Sequence, residues 1–151
     1  VSTADLPRKR VGAGVLFFDA DDRVLLVEPT YKDYWEIPGG CVEADESPYE
    51  AVIREIAEEL GLSVVPGRLL VVDWVPPEAD RTEGMMLVYD GGLLTGASIQ
   101  LPPEELRSWA WCDTAMATKR LSPLLARRVS AARRARSENV TVYLEDGTLV
   151  A

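Results

Sequence analysis

Glu55, Glu58 and Glu59 stand three and four residues apart within G-G-C-V-E-A-D-E-S-P-Y-E-A-V-I-R-E-I-A-E-E-L-G-L, the stretch from Gly39 to Leu62. On a helix advancing about 100° per residue they share an arc of roughly 100°, with Arg54 beside them. Like charges at this spacing repel by a few tenths of a kcal/mol per close pair, roughly, so a bare helix gains nothing from the cluster. A cation reverses that sign. Hard divalent ions such as Mg²⁺ take oxygen ligands and are commonly held by one or two carboxylates together with phosphate oxygens. The three glutamates therefore point to cation chemistry beside a phosphorylated molecule.

The element that must carry them is a helix from Ser47 to Leu60. Tyr49, Val52, Ile53, Ile56, Ala57 and Leu60 recur at three- and four-residue steps, which predicts one buried face with the carboxylates on the opposite side. Ser47 can cap the helix, Pro48 suits its first position and Glu50 completes an S-x-x-E capping box, while Gly61 can end it with a left-handed turn.

Gly40, Glu46, Arg54, Glu55, Ile56, Glu58, Glu59, Gly61 and Leu62 fill every fixed position of G-x5-E-x7-R-E-U-x-E-E-x-G-U, where U is aliphatic. In this the chain resembles the Nudix hydrolases, in a MutT-like form. The resemblance implies an α/β Nudix fold, an α/β/α sandwich with a mixed β-sheet between helices. It implies metal-dependent cleavage of the diphosphate linkage in a small nucleotide. A nucleoside triphosphate split into monophosphate and pyrophosphate is the leading substrate class, and ADP-ribose or a nucleotide sugar is the second. By the same resemblance Glu58 and Glu59 bind Mg²⁺, or Mn²⁺ in its place, helped by the Gly39 carbonyl. Glu55 ligates metal or acts as base, Arg54 and Glu46 pair to hold the loop against the helix, and Gly39 and Gly40 let the backbone approach the ion. Family members often dimerise, and often draw a further acid from outside the motif, for which Glu104 and Glu105 are candidates. W-E-I-P before Gly39 resembles the approach to the motif in triphosphate-cleaving members. Pro77, 15 residues beyond Leu62, matches a proline of ADP-ribose-cleaving ones. A catalytically silent nucleotide sensor is the reading from another class, and the intact Arg54, Glu55, Glu58 and Glu59 argue against it.

Composition narrows the chemistry further. The chain of 151 residues contains no histidine, which excludes Ser-His-Asp and Cys-His mechanisms and a His-ligated zinc site. Carboxylates must carry acid–base work. Cys41 and Cys112 lack a metal-ligand spacing and fit a reducing, cytoplasmic setting as free thiols. A formal net charge of −9 argues against sequence-independent binding to a nucleic-acid backbone. No apolar run approaches the ~20 residues that span a bilayer, so no membrane association is expected.

Residues 1–9 are expected to form a flexible tail and 10–151 one Nudix domain. The alternation of apolar residues predicts strands at Val11–Phe18 and Val24–Glu28 (paired as a hairpin), Val64–Val65, Leu69–Val75, Met85–Tyr89, Ala97–Leu101 and Ser108–Cys112, with Asp90–Gly92 as a turn. A helix from Ser122 to Ser137 would set Arg127, Arg128, Arg133, Arg134 and Arg136 on its wet side, and a D-G turn at Asp146–Gly147 closes a last hairpin. In the loops, Tyr31, Tyr34 and Trp35 either stack on a base or pack at a strand junction, and Arg81 either contacts a phosphate or is a solvated loop arginine.

Overall fold

The computed structural model describes residues 2–150. After one 3-10 turn at Thr3–Asp5, the chain runs through strands β1 (Arg10–Phe18), β2 (Val24–Pro29) and β3 (Gly39–Cys41), helix α1 (Pro48–Leu60) and strands β4 (Leu69–Val75), β5 (Gly84–Leu93) and β6 (Leu106–Cys112). Helices α2 (Thr114–Arg120) and α3 (Pro123–Glu138) and the hairpin of β7 (Val142–Glu145) and β8 (Thr148–Leu149) complete it. The sheet order is β6-β2-β1-β5-β4-β7-β8. It is mixed, because β1 runs parallel to β5 and β4 parallel to β7 while the other pairs are antiparallel.

β1 divides one of its edges between two partners. Near its end it meets β2 at Phe18↔Val24, and near its start β3 pairs with it through Gly12↔Cys41, Ala13↔Gly40 and Gly14↔Gly39. The period-two pattern of β1 and β2 then sorts side chains between layers. Val15, Phe17, Leu25 and Val27 pack with Val52, Ile56 and Leu60 of α1. Leu16, Phe18, Val24 and Leu26 pack on the other side with Ala117 of α2 and Val129, Ala132 and Ala135 of α3. The result is the expected α/β/α sandwich.

Four local expectations are corrected. Gly39–Cys41 is a strand and not loop, because glycine backbone pairs on β1 where side chains would collide. Ala97–Leu101 and Val64–Val65 are irregular. Ile99, Leu101 and Val64 do enter the α1-side core, but the Gln100 N–H bonds to the Leu60 carbonyl at the end of α1 and not to a strand. Asp90–Gly92 does not turn the chain; β5 continues to Leu93 through a bulge opposite Leu16 and Phe17. Gly91 is needed there, since a Cβ would lie 2.5 Å from the Phe17 ring, and Gly92 takes φ 70° with its N–H on Asp90. α2, capped by Asp113, has no counterpart in the sequence reading.

The fifth correction concerns charge. Arg128 is buried and not on the wet side of α3; its Nε donates to Asp73 at 2.7 Å, and Asp73, fully buried on β4, also accepts the Gly147 N–H at 3.0 Å. Removing one member of a buried ion pair strands the other and costs about 3–5 kcal/mol. Arg128→Met is therefore expected to lower unfolding stability by that order in a urea titration. A midpoint equal to that of the parent protein would show that the pair contributes nothing. The other four arginines of α3 also meet acids: Arg127 Asp146, Arg133 Asp22, Arg134 Glu138 and Arg136 Asp90.

Candidate metal and phosphate site

α1 forms as its end signals predict. Ser47 accepts the Glu50 N–H while Glu50 returns a bond to the Ser47 N–H, and Gly61 ends the helix. Its docked face is not the predicted one. Ala51, Val52, Ile56 and Leu60 are buried, whereas Tyr49 and Ala57 are exposed. Relative to the apolar stripe, the helix is rotated by roughly 60° about its axis. Glu55 and Glu59 consequently lie within the docked arc, and only Glu58 points to solvent: the Glu55 side chain is 14% exposed and that of Glu58 57%.

The rotation is possible because β3 presents almost bare backbone to the helix. The Gly39 N–H donates to Glu59 Oε1 at 2.8 Å. Gly39 has φ 150°, and a Cβ there would lie 2.6 Å from Gly14 Cα and closer still to the Ala13 carbonyl oxygen. At Gly40 a Cβ would lie 2.5 Å from Glu55 Oε1, so that carboxylate rests on the vacant side of the glycine.

Arg54 ties the loop to the helix. Its Nε and Nη2 donate to the two oxygens of Glu46 at 2.7 and 3.0 Å, and Nη2 also reaches the Cys41 carbonyl at 3.1 Å. Its Nη1 donates to Glu55 at 2.9 Å and Glu58 at 3.2 Å. Hydrogen bonds from Arg54, and then the Glu43 N–H, hold the Glu46 carboxyl down to about 2. Burial raises Glu55, with Arg54 opposing. Burial pushes Glu59 up to about 8; the Gly39 N–H opposes this and the charges of Glu55, Glu36 and Glu105 add to it.

Residues outside the motif are distributed unevenly. Glu105 acts electrostatically on Glu55 and Glu59, and its turn is tied to the β2–β3 loop by the Thr30 N–H on the Glu105 carbonyl and the Thr30 hydroxyl on that of Glu104. Tyr34 lies on the same loop, half-exposed beside Lys32. Arg81 turns back on its own loop, donating to the Pro76 carbonyl and Glu78 at 3.2 Å. Sequence reasoning missed Lys32 and Glu36, which pair on the β2–β3 loop. The available signal was position: Glu36 is three residues before Gly39, on the chain leading into the cradle.

By donor type the residues suit a hard divalent cation, since Glu55, Glu58, Glu59 and the loop backbone offer only oxygens. As they stand, no group of three or more acidic, cysteine or histidine side chains among the described residues is placed to hold an ion. Arg54 engages Glu55 and Glu58, and Gly39 engages Glu59.

A raised carboxyl makes stability depend on pH. Between its ordinary value of 4.5 and about 8, Glu59 keeps a proton in the folded chain that it loses when unfolded, so the folded form binds more protons and metal-free stability falls as pH rises through that window. With no histidine titrating there, the effect is open to measurement. In EDTA the melting temperature is expected to decline from pH 5 to pH 8, and millimolar Mg²⁺ to raise it more at pH 8 than at pH 6. An EDTA profile flat across this range would contradict the burial of Glu59.

A mixed sheet between helices, with an acidic helix docked on a glycine strand, defines an α/β protein built around an oxygen-donor cradle. The chain belongs to the Nudix family: the NUDIX domain pattern matches residues 8–134. It is 32% identical over 136 residues to an RNA pyrophosphohydrolase of Gluconacetobacter diazotrophicus, covering 73% of this chain and 80% of that one. It is also 32% identical over 92 residues to the uncharacterized Nudix hydrolase YvcI of Bacillus subtilis, covering 59% of this chain but 58% of the relative, less than two thirds of its length. Among solved structures it is similar to a MutT protein from Methanosarcina mazei Go1, with TM-score 0.71 and 26% identity over 89% of this chain and 99% of that one. No helix among the described residues is long and apolar enough to cross a membrane.

Proposed function

We propose that this Nudix hydrolase is a Mg²⁺-dependent enzyme that cleaves the diphosphate linkage of a small nucleotide, most readily a nucleoside triphosphate to monophosphate and pyrophosphate. ADP-ribose or a nucleotide sugar is the alternative substrate class. The observation that carries the reading is the docking of Glu55 and Glu59 against Gly39 and Gly40, with Glu58 beside them and a single cation, Arg54, shared among Glu46, Glu55 and Glu58. Arg54 spends its bidentate fork on Glu46, keeping the loop and helix in register. Glu58 and Glu59 would hold Mg²⁺ or Mn²⁺ with the Gly39 backbone. Glu55, whose proton affinity is raised by burial, would ligate the metal or take a proton from water. A bound divalent ion supplies a more acidic water and neutralises phosphate oxygens.

The relative that is an RNA pyrophosphohydrolase would extend the class to a triphosphate at an RNA end. An overall charge of −9 and the pairing of every α3 arginine with an acid favour a free nucleotide. Two free cysteines suit a reducing, cytoplasmic setting. The deciding experiment is a pyrophosphate- and phosphate-release screen with Mg²⁺ across triphosphates, oxidised nucleotides, ADP-ribose and dinucleoside polyphosphates. Mg²⁺-dependent release from a triphosphate is expected. Tight nucleotide binding with no turnover of any member would establish a sensor instead.

A further inference from the structure

Lys32 is a cation on the β2–β3 loop, which leads into the cradle, and takes no part in building it. Its ammonium pairs with Glu36 and lies 5.5 Å from the centroid of the Tyr31 ring and 5.4 Å from that of Tyr34. An ammonium offers three N–H donors and no acceptor. Glu36 is its only hydrogen-bond acceptor among the described residues, so two donors remain open. The lysine side chain is 33% exposed and Tyr31 68%, so the group is accessible.

Its position is fixed relative to the carboxylates. Glu36 lies three positions before Gly39, so their Cα atoms are no more than about 11 Å apart, and Gly39 holds Glu59. Glu36 is itself pinned by paired backbone hydrogen bonds to Val27 of β2. The surroundings are acidic: the Tyr31 hydroxyl feels the charges of Glu36, Glu59 and Glu105. An ion pair at this exposure is weak, and each flanking ring adds a modest cation–π attraction. Such an arrangement holds an ammonium in place without using it up.

Resting on the proposed hydrolase reading, we propose that Lys32, braced by Glu36 between Tyr31 and Tyr34, binds the phosphate beyond the two engaged by the glutamate cradle. The chain thereby selects substrates with three or more consecutive phosphates. ADP-ribose, with two, leaves this ammonium without a phosphate to bind.

The test compares wild type, Lys32→Met and Lys32→Arg with a nucleoside triphosphate and with ADP-ribose, both with Mg²⁺. Losing one charge-assisted hydrogen bond is expected to raise KM for the triphosphate about tenfold or more. Its kcat should hold within about twofold, the signature of lost uniform binding. KM for ADP-ribose should not move, and Lys32→Arg should recover most of the triphosphate affinity. Equal KM changes for both substrates, a fall confined to kcat, or wild type preferring ADP-ribose would each overturn the proposal. Calorimetry with a non-hydrolysable triphosphate analogue and Mg²⁺ runs alongside. Wild type that binds the analogue but turns over nothing defeats the hydrolase reading alone, and the affinity ratio of Lys32→Met to wild type then decides the subsite, a ratio near one refuting it.

Discussion

Glu58→Gln is expected to reduce kcat by about 10²-fold or more, the usual scale for deleting one electrostatic partner of a transition state, while the melting temperature stays put. Among the three motif glutamates its side chain is the one that points to solvent, at 57% exposure, and its recorded hydrogen bond is to Arg54 at 3.2 Å. Exposed substitutions of this kind change stability by no more than about 0.5 kcal/mol. The amide keeps the shape and discards the charge, so a loss of turnover with an unchanged melt isolates the role of the anion. Steady-state kinetics over a range of Mg²⁺ concentrations provide the check. Near-normal kcat at ordinary Mg²⁺ would remove Glu58 from the cation site and with it the chemistry assigned to the cradle.

Gly39→Ala is expected to damage both folding and activity. The added methyl would sit 2.6 Å from Gly14 Cα and nearer still to the Ala13 carbonyl oxygen, and both obstacles are backbone of β1, which does not yield as a side-chain tip does. Strain at φ 150° costs about 1–3 kcal/mol in its own right. Displacing β3 also moves the N–H that holds Glu59, and a shift of about 1 Å in a reacting group can cost 10²-fold in rate. Gly40→Ala makes the instructive contrast. Its obstacle is the Glu55 carboxylate, the end of a flexible chain, so that variant should melt near the parent temperature while losing activity. Thermal melts and turnover measured on both separate the effects; a Gly39→Ala protein with the parent melting temperature would refute the account of β3.

The sequence was most informative where local signals agree. Ser47, Pro48, Glu50 and Gly61 mark the ends of α1 through their own backbone chemistry, and the observed helix spans Pro48–Leu60. β4 was legible to the residue, because L-L-V-V-D-W-V is bounded by turn residues at both ends. What failed was knowledge of neighbours. The helix face was placed by its apolar residues, which cannot show that Glu55 and Glu59 would find glycine backbone to dock on. Gly39 and Gly40 read as loop glycines that let the backbone approach an ion, and nothing local showed that their missing side chains also permit pairing on β1. Arg128 read as solvated until a partner 55 positions away, Asp73, accounted for its burial. Lys32 and Glu36 carried no periodic signal at all.

Because β3 and β2 hang from different segments of β1, the cradle and the β2–β3 loop can diverge separately. Lengthening the run from Thr30 to Tyr34 would reshape the loop that carries Lys32 while the glycine cradle stays anchored to Ala13 and Gly14. A lineage could thus exchange one clientele for another by remodelling a short connector, its scissors untouched.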